Sequence, residues 1–196
     1  MADARRNACT LYVAPRPRSS SVATSSSAST GSTAVTVPSA AMTTDEKDEK
    51  KVSVERVIAA PPEKVFDVLA DPSQHPVIDG SGTVKHTRGQ QPDRLSLGAK
   101  FGMSMRIGVP YAITNTVVEF DENRRIAWRH FGGHRWRYEL EPVGDGTRVR
   151  ETYDWSTAIP PTRLYIAVTG QPKRAEEAMS GTLERLDAHV TGGGDG

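Results

Sequence analysis

The feature that most constrains this chain is a succession of β-patterned segments joined by very short turns and followed by one amphipathic helix. Phe101, Met103, Met105 and Ile107 alternate with Gly102, Ser104, Arg106 and Gly108, the pattern of a strand with one buried face. Segments 111–120, 124–131, 134–142 and 147–155 follow, separated by Asp121-Glu122-Asn123, Gly132-Gly133 and Gly144-Asp145-Gly146. A parallel crossover needs a dozen or more residues, so these strands are consecutive antiparallel neighbours.

The flanking segments complete the arrangement. Residues 52–58 read as a strand, broken by Ala59-Ala60-Pro61-Pro62. A helix then starts with proline in its first turn and carries Val65, Phe66 and Leu69 at helical spacing. Asp71-Pro72 closes it, residues 72–78 add a short second helix, Gly80-Ser81-Gly82 turns, and 83–88 form a short strand. Near the other end Ala175, Met179, Thr182, Leu183, Leu186 and Val190 make a single apolar stripe. Gly170 and Pro172 separate that helix from 162–169, a turn or shorter helix. The expected fold is α+β: a curved antiparallel sheet burying one face on a long C-terminal helix. A cavity remains between them if the sheet curves without filling the space.

The folded domain is expected over 51–191. Residues 1–50, rich in Ser, Thr and Ala, have too little apolar surface to offset the entropy of ordering and are expected to be a disordered tail. Residues 192–196 form a Gly-rich end. Met42 offers an alternative start to the chain, and the Arg- and Ser-rich tail superficially resembles a transit peptide. The lone Cys9 excludes an internal disulfide and fits a reducing compartment. With no apolar run near the length of a membrane span and no signal-peptide core, a cytoplasmic protein is expected. Net charge is +1. Up to Thr44 the tail carries Arg5, Arg6, Arg16 and Arg18 against Asp3, so the domain itself is near neutral and no nucleic-acid partner is expected.

Strand faces follow from the turns. A three-residue loop of Phe131, Gly132 and Gly133, ending in a left-handed glycine, pairs His130 with His134, Trp128 with Trp136 and Ile126 with Tyr138. A loop at Gly144-Asp145 is read as pairing Trp136 with Trp155, Tyr138 with Tyr153 and Leu140 with Glu151. This places Trp128, Trp136 and Trp155 in one row and Ile126, Tyr138 and Tyr153 in the next. Such a surface is either plain core or the aromatic wall of a ligand cavity.

The same face carries His130, His134, Glu151 and two tyrosine hydroxyls. Glu151 is read as lying near the rim beside Arg124, since a buried carboxyl would need a partner or a proton. The histidine pair is not read as a metal site: zinc takes three or four ligands, and in this register Glu151 lies on the order of 20 Å away. The opposite face holds Arg125, Arg129, Arg135, Arg137, Arg148 and Arg150, expected to pair with Glu139, Glu141 and Asp154 or to meet an anionic or protein partner. Phosphate-loop, nucleophile-elbow and Cys-x-x-Cys motifs are missing, and no cofactor is expected.

Three stretches resemble a known family. Ile58-Ala59-Ala60-Pro61-Pro62-Glu63-Lys64-Val65-Phe66-Asp67-Val68-Leu69-Ala70-Asp71-Pro72 is similar to the opening of the START-like (SRPBCC) superfamily. Phe120-Asp121-Glu122-Asn123-Arg124-Arg125-Ile126-Ala127-Trp128 resembles its central hairpin, and Tyr138-Glu139-Leu140-Glu141-Pro142 through Gly146-Thr147-Arg148-Val149 its late one. With the last helix the likeness covers about 52–190, nearest the bacterial polyketide cyclase/dehydrase and lipid-transport group. One departure is His75-Pro76, where many relatives have tryptophan. The resemblance implies a helix-grip fold, a seven-stranded antiparallel sheet around the C-terminal helix, enclosing a hydrophobic cavity. It carries over no catalytic residue.

The function expected is binding or transport of a small hydrophobic ligand (a lipid, quinone or polyketide-like compound) by a monomer or homodimer. Candidate ligand contacts are Phe101, Met103, Met105, Trp128, Trp136, Tyr138, Tyr153, Trp155 and Met179. A polyketide cyclase or dehydratase is the alternative, with His134, His130, Tyr138 and Glu151 as candidates for moving protons. A partner-binding module using the arginine face is the third reading.

Overall fold

A computed structural model describes residues 50–192. The expected tail and Gly-rich end lie outside the described residues, apart from Lys50 and Gly192. The elements are β1 (Lys51–Ile58), α1 (Pro62–Ala70), α2 (His75–Ile78), β2 (Val84–Arg88), β3 (Lys100–Ile107) and β4 (Val109–Asp121), then β5 (Arg125–Arg129), β6 (Arg135–Val143), β7 (Gly146–Asp154), α3 (Pro160–Thr169) and α4 (Gln171–Gly192). The strands form one sheet in the order β1-β7-β6-β5-β4-β3-β2, antiparallel throughout. Its curled inner face packs on α4, which presents the expected stripe: Ala175, Met179, Thr182, Leu183 and Leu186 are buried and Val190 packs against the core. Residues 162–169 are helical, within α3, and Gly170 in the left-handed region ends that helix.

The β5–β6 register is the expected one. Trp128 opposes Trp136 and Ile126 opposes Tyr138, with Gly133 at φ 83° closing the loop. The β6–β7 register differs by two residues from the expectation. The loop is Gly144-Asp145, but it closes on a Val143–Gly146 pair, which sets Trp136 against Tyr153, Tyr138 against Glu151 and Leu140 against Val149. A two-residue shift keeps every side chain on its face, so the pattern of apolar residues did not reveal it. Trp155 leaves the tryptophan row and lies just beyond β7, its N–H donating to the Lys50 carbonyl at 3.0 Å.

One more register feature escapes simple alternation. β4 contains a bulge between Val117 and Glu119. Along β4 the inner face runs through Met105's partner Tyr111, then Ile113, Asn115 and Val117, and an unbroken strand would next turn Glu119 inward. The extra residue reverses the phase. Phe120 therefore points in, with its ring 5.5 Å from that of Phe66 on α1, and Glu119 points out.

The loop after α2 touches α4 backbone to backbone. A Cβ built on Gly80 would lie 2.2 Å from both the Ala178 carbonyl oxygen and the Thr182 nitrogen. The Gly80 N–H donates to Thr182 Oγ1 at 3.0 Å, and Arg185 donates to the Asp79 carbonyl at 2.6 Å. On the facing side a Cβ on Gly181 would meet Gly80 Cα at 3.2 Å, a contact that small shifts relieve. Gly80→Ala should therefore destabilise the domain by about 1–3 kcal/mol or more, and Gly181→Ala by clearly less. Urea denaturation of the two variants measures this, and equal effects would contradict the close approach.

Candidate functional site

The inner face builds two packed clusters. The larger includes Phe101, Met103, Trp128 and Tyr138 with Phe66, Leu69, Val117, Leu183 and Leu186, and Met105 packs at its edge. The smaller unites Tyr153, Trp155, Ala158, Ile166, Ala175 and Met179 beneath α3. Trp136 and Val54 touch both. The nine expected ligand contacts are thus distributed over the two clusters, with Trp136 in contact with both. Two hollows have volumes of about 230 and 280 Å³, one lined by Glu139, Leu140, Glu141, Arg148 and Arg150, the other by residues of β2, β3 and β4 that include Tyr111 and the expected contact Met105. Aromatic rings pack against one another on the inner face: Trp128 and Tyr138 centroids are 5.4 Å apart and Trp136 and Tyr153 4.7 Å.

His75 completes the larger cluster, and no sequence pattern singled it out for this role. It stacks on Trp128 at 4.9 Å and meets Phe101 edge-on at 5.2 Å, while its Nε2 lies 2.9 Å from the Leu69 carbonyl oxygen. Burial holds its pKa below the ordinary value. The ring is held neutral with its N–H on a backbone carbonyl.

Glu151 is not at the rim. It is buried at 3% exposure, because β7 runs between β1 and β6 and both neighbours and α4 cover its inner face. The Tyr138 hydroxyl donates to Glu151 Oε1 at 2.7 Å. Burial pushes the Glu151 carboxyl up to about 8; the Tyr138 bond opposes this and the nearby Asp79 carboxylate adds to it. At neutral pH Glu151 is therefore a neutral acid, and its Oε2 is buried with no partner. A protonated carboxyl in such a place is a hydrogen-bond donor.

A second polar group forms at the β5–β6 hairpin end. The His130 and His134 rings meet edge-on at 4.1 Å, and His134 lies 5.2 Å from the Tyr153 ring. Burial, with a smaller contribution from His130, lowers the His134 pKa to about 3. Burial raises the Tyr153 phenol. His134 Nδ1 and the Tyr153 hydroxyl are both buried without a partner. The four candidate proton carriers therefore occupy two positions, Tyr138–Glu151 and His130–His134, with Tyr153 between them. Among the described residues, no three His, Cys, Asp or Glu side chains gather as a metal ion requires.

The outer arginine face is organised by a residue that alternation had hidden. Glu119, turned outward by the bulge, takes Arg137 at 2.6 Å, Arg135 at 3.1 Å and Arg125 at 3.5 Å. Arg148 pairs with Glu141 at 2.7 Å as expected, and Arg150 pairs with Glu55 on β1.

Residues 49–191 match the family model for polyketide cyclase/dehydrase and lipid transport, and the chain belongs to that family, within the START-like superfamily. An uncharacterized protein of Mycobacterium tuberculosis H37Rv, Rv0088, is 37% identical over 140 residues, 69% of this chain and 62% of that one. MT0096 of the CDC 1551 strain is 36% identical over the same lengths. The chain thus spans 62% of the length of these curated relatives. Among solved structures, CV1439 of Chromobacterium violaceum has a TM-score of 0.54 at 18% identity, covering 72% of this chain and 97% of that one. The AHSA1-like protein of Aeromonas hydrophila has a TM-score of 0.51 at 19% identity, covering 74% and 94%. These likenesses are of fold. Among the described residues no helix is long and apolar enough to cross a membrane.

The buried acid and histidine predict a pH signature. Glu151's folded pKa is raised from 4.5, so its contribution to stability is complete below about 4.5 and is lost as pH rises through about 8. His134, depressed from 6.5, stabilises fully above that value and loses its contribution as pH falls. The two oppose each other in mild acid, and between pH 6.5 and 8 Glu151 acts without opposition from His134. Unfolding free energy should fall there by roughly 1 kcal/mol per pH unit. Chemical denaturation of Glu151→Gln across this window should give a flat profile; a retained slope would place its origin elsewhere.

Proposed function

We propose that this protein binds a small, largely apolar molecule against the aromatic inner face of β6 and β7, beneath α3. The observation that carries the reading is two buried, unpartnered atoms: Tyr153 Oη, in the smaller cluster with Trp136, Trp155 and Met179, and Nδ1 of His134, whose ring lies 5.2 Å from that of Tyr153. Leaving such a group unbonded costs about 1–3 kcal/mol, and native proteins seldom keep one without a reason. A ligand with an apolar body and a polar group that reaches either atom would remove that cost.

Entry requires α3 to move. Of its ten residues only Ile166 is buried. The loop at Gly132 holds its N-terminal end by the Ile159 N–H at 3.2 Å, and Gly170 supplies a left-handed hinge at the other. A second reading, a cyclase or dehydratase, rests on Glu151, a neutral acid next to Tyr138 that is able to deliver a proton. It requires turnover of a poly-β-keto substrate that Glu151→Gln abolishes.

Native mass spectrometry of protein recovered from a mycobacterial lysate tests the binding reading. The expected result is an excess mass that disappears on denaturation. Occupancy should fall roughly tenfold or more in Trp136→Ala, by the loss of a large aromatic contact surface, and measurably in Tyr153→Phe, which leaves packing intact. No retained mass, or unchanged occupancy in folded Trp136→Ala, would overturn it.

A further inference from the structure

The outward face of the sheet treats its cations in two ways. On β5, β6 and β7, Arg125, Arg135, Arg137, Arg148 and Arg150 each meet a carboxylate. On β2 and β3, Lys85, Arg88 and Arg106 meet none among the described residues. Residues 80–118 contain a single acid, Asp93.

These three cations surround one place. His86 opposes Ser104 and Ser104 opposes Ala112, so one row of side chains crosses β2, β3 and β4. Met103 is buried in the core, and side chains alternate along a strand, so the row points outward. Ser104 and Ala112 are small and leave its middle low. Two residues along β3 on either side, Gly102 opposes Arg88 and Arg106 opposes Pro110. Lys85 enters at the bulge between Val84 and His86, with its Nζ donating to the Gly82 carbonyl at 2.7 Å. The hollow of about 280 Å³ is lined by Lys85, His86, Arg88, Ser104, Arg106 and Ala112, and no carboxylate lines it. Met105 and Tyr111, from the alternate positions, also border it.

A cleft lined by charge of one sign concentrates ions of the other. Guanidinium groups present donors in a flat fork that matches phosphate oxygens, and the Ser104 hydroxyl is a further donor. A multiply charged group gains more from several cations than a carboxylate does. The volume is at the small end for ligand pockets, which run from about 300 Å³ upward.

We infer that this hollow is a binding site for the phosphate group of a small soluble molecule, held by Arg88 and Arg106 from two sides with Lys85 and Ser104. The row faces away from the aromatic clusters, so the inference is independent of the apolar ligand proposed above.

NMR titration of the isotope-labelled full chain with inorganic pyrophosphate tests it. Amide shifts at residues 85–88 and 104–106 should saturate, the same concentration of acetate should leave them nearly unchanged, and added salt should weaken binding. Arg88→Gln with Arg106→Gln should lower the affinity by about tenfold or more. Ala112→Glu, which sets a carboxylate in the row, should abolish binding. All three positions are exposed, so an unchanged melting temperature shows that the fold survives. Arg148→Gln, at the other hollow, should bind as the unaltered chain does. Shifts confined to the arginines of the tail would overturn the inference, as would unchanged affinity in folded Arg88→Gln/Arg106→Gln or an equal response to acetate. Binding of phosphatidic acid vesicles without binding of free pyrophosphate would overturn it as well.

Discussion

The bulge at Val117–Glu119 is the constraint on which the middle of this sheet depends. Before it, odd-numbered residues of β4 point to the inner face; after it, Phe120 does, opposite Ile126 and against Phe66 of α1. One inserted residue thereby puts an aromatic ring against Phe66 and removes a carboxylate from the core. It also gives the outer face an anionic centre for three arginines. Without it, Glu119 would be a buried charge with no cation on its side of the sheet, an arrangement that proteins rarely tolerate.

Much of the architecture was legible because the turns are short. Gly132-Gly133 admits one register that puts Trp128 and Trp136 on a common face, and that is the register found. Gly144-Asp145 was harder because registers two residues apart leave the same residues inside. Only the closing Val143–Gly146 pair distinguishes them, and the choice decides whether Tyr138 faces Tyr153 or Glu151. The bulge left no mark in the sequence: Val117-Val118-Glu119-Phe120 reads equally well as an uninterrupted strand.

The candidate site was legible in its residue types and not in its geometry. Trp128, Trp136, Tyr138 and Tyr153 share the inner face as expected, while Trp155 lies just past the end of β7. His75 could not be recognised, because its role depends on α2 folding back over Trp128. Glu151 was misplaced for a sound statistical reason, since glutamates are rarely buried. The register that sets it beside Tyr138 is the one that the strand pattern could not fix.

The weak seating of α3 has a consequence for how this domain comes apart. A helix joined to the body by one buried side chain and a few hydrogen bonds has little to hold it, so it is expected to open at lower cost than the sheet and α4. Backbone amides along 163–169 would then exchange with solvent far sooner than those of β6 and β7. A melting curve, which follows the sheet, would be blind to the movement that uncovers Tyr153.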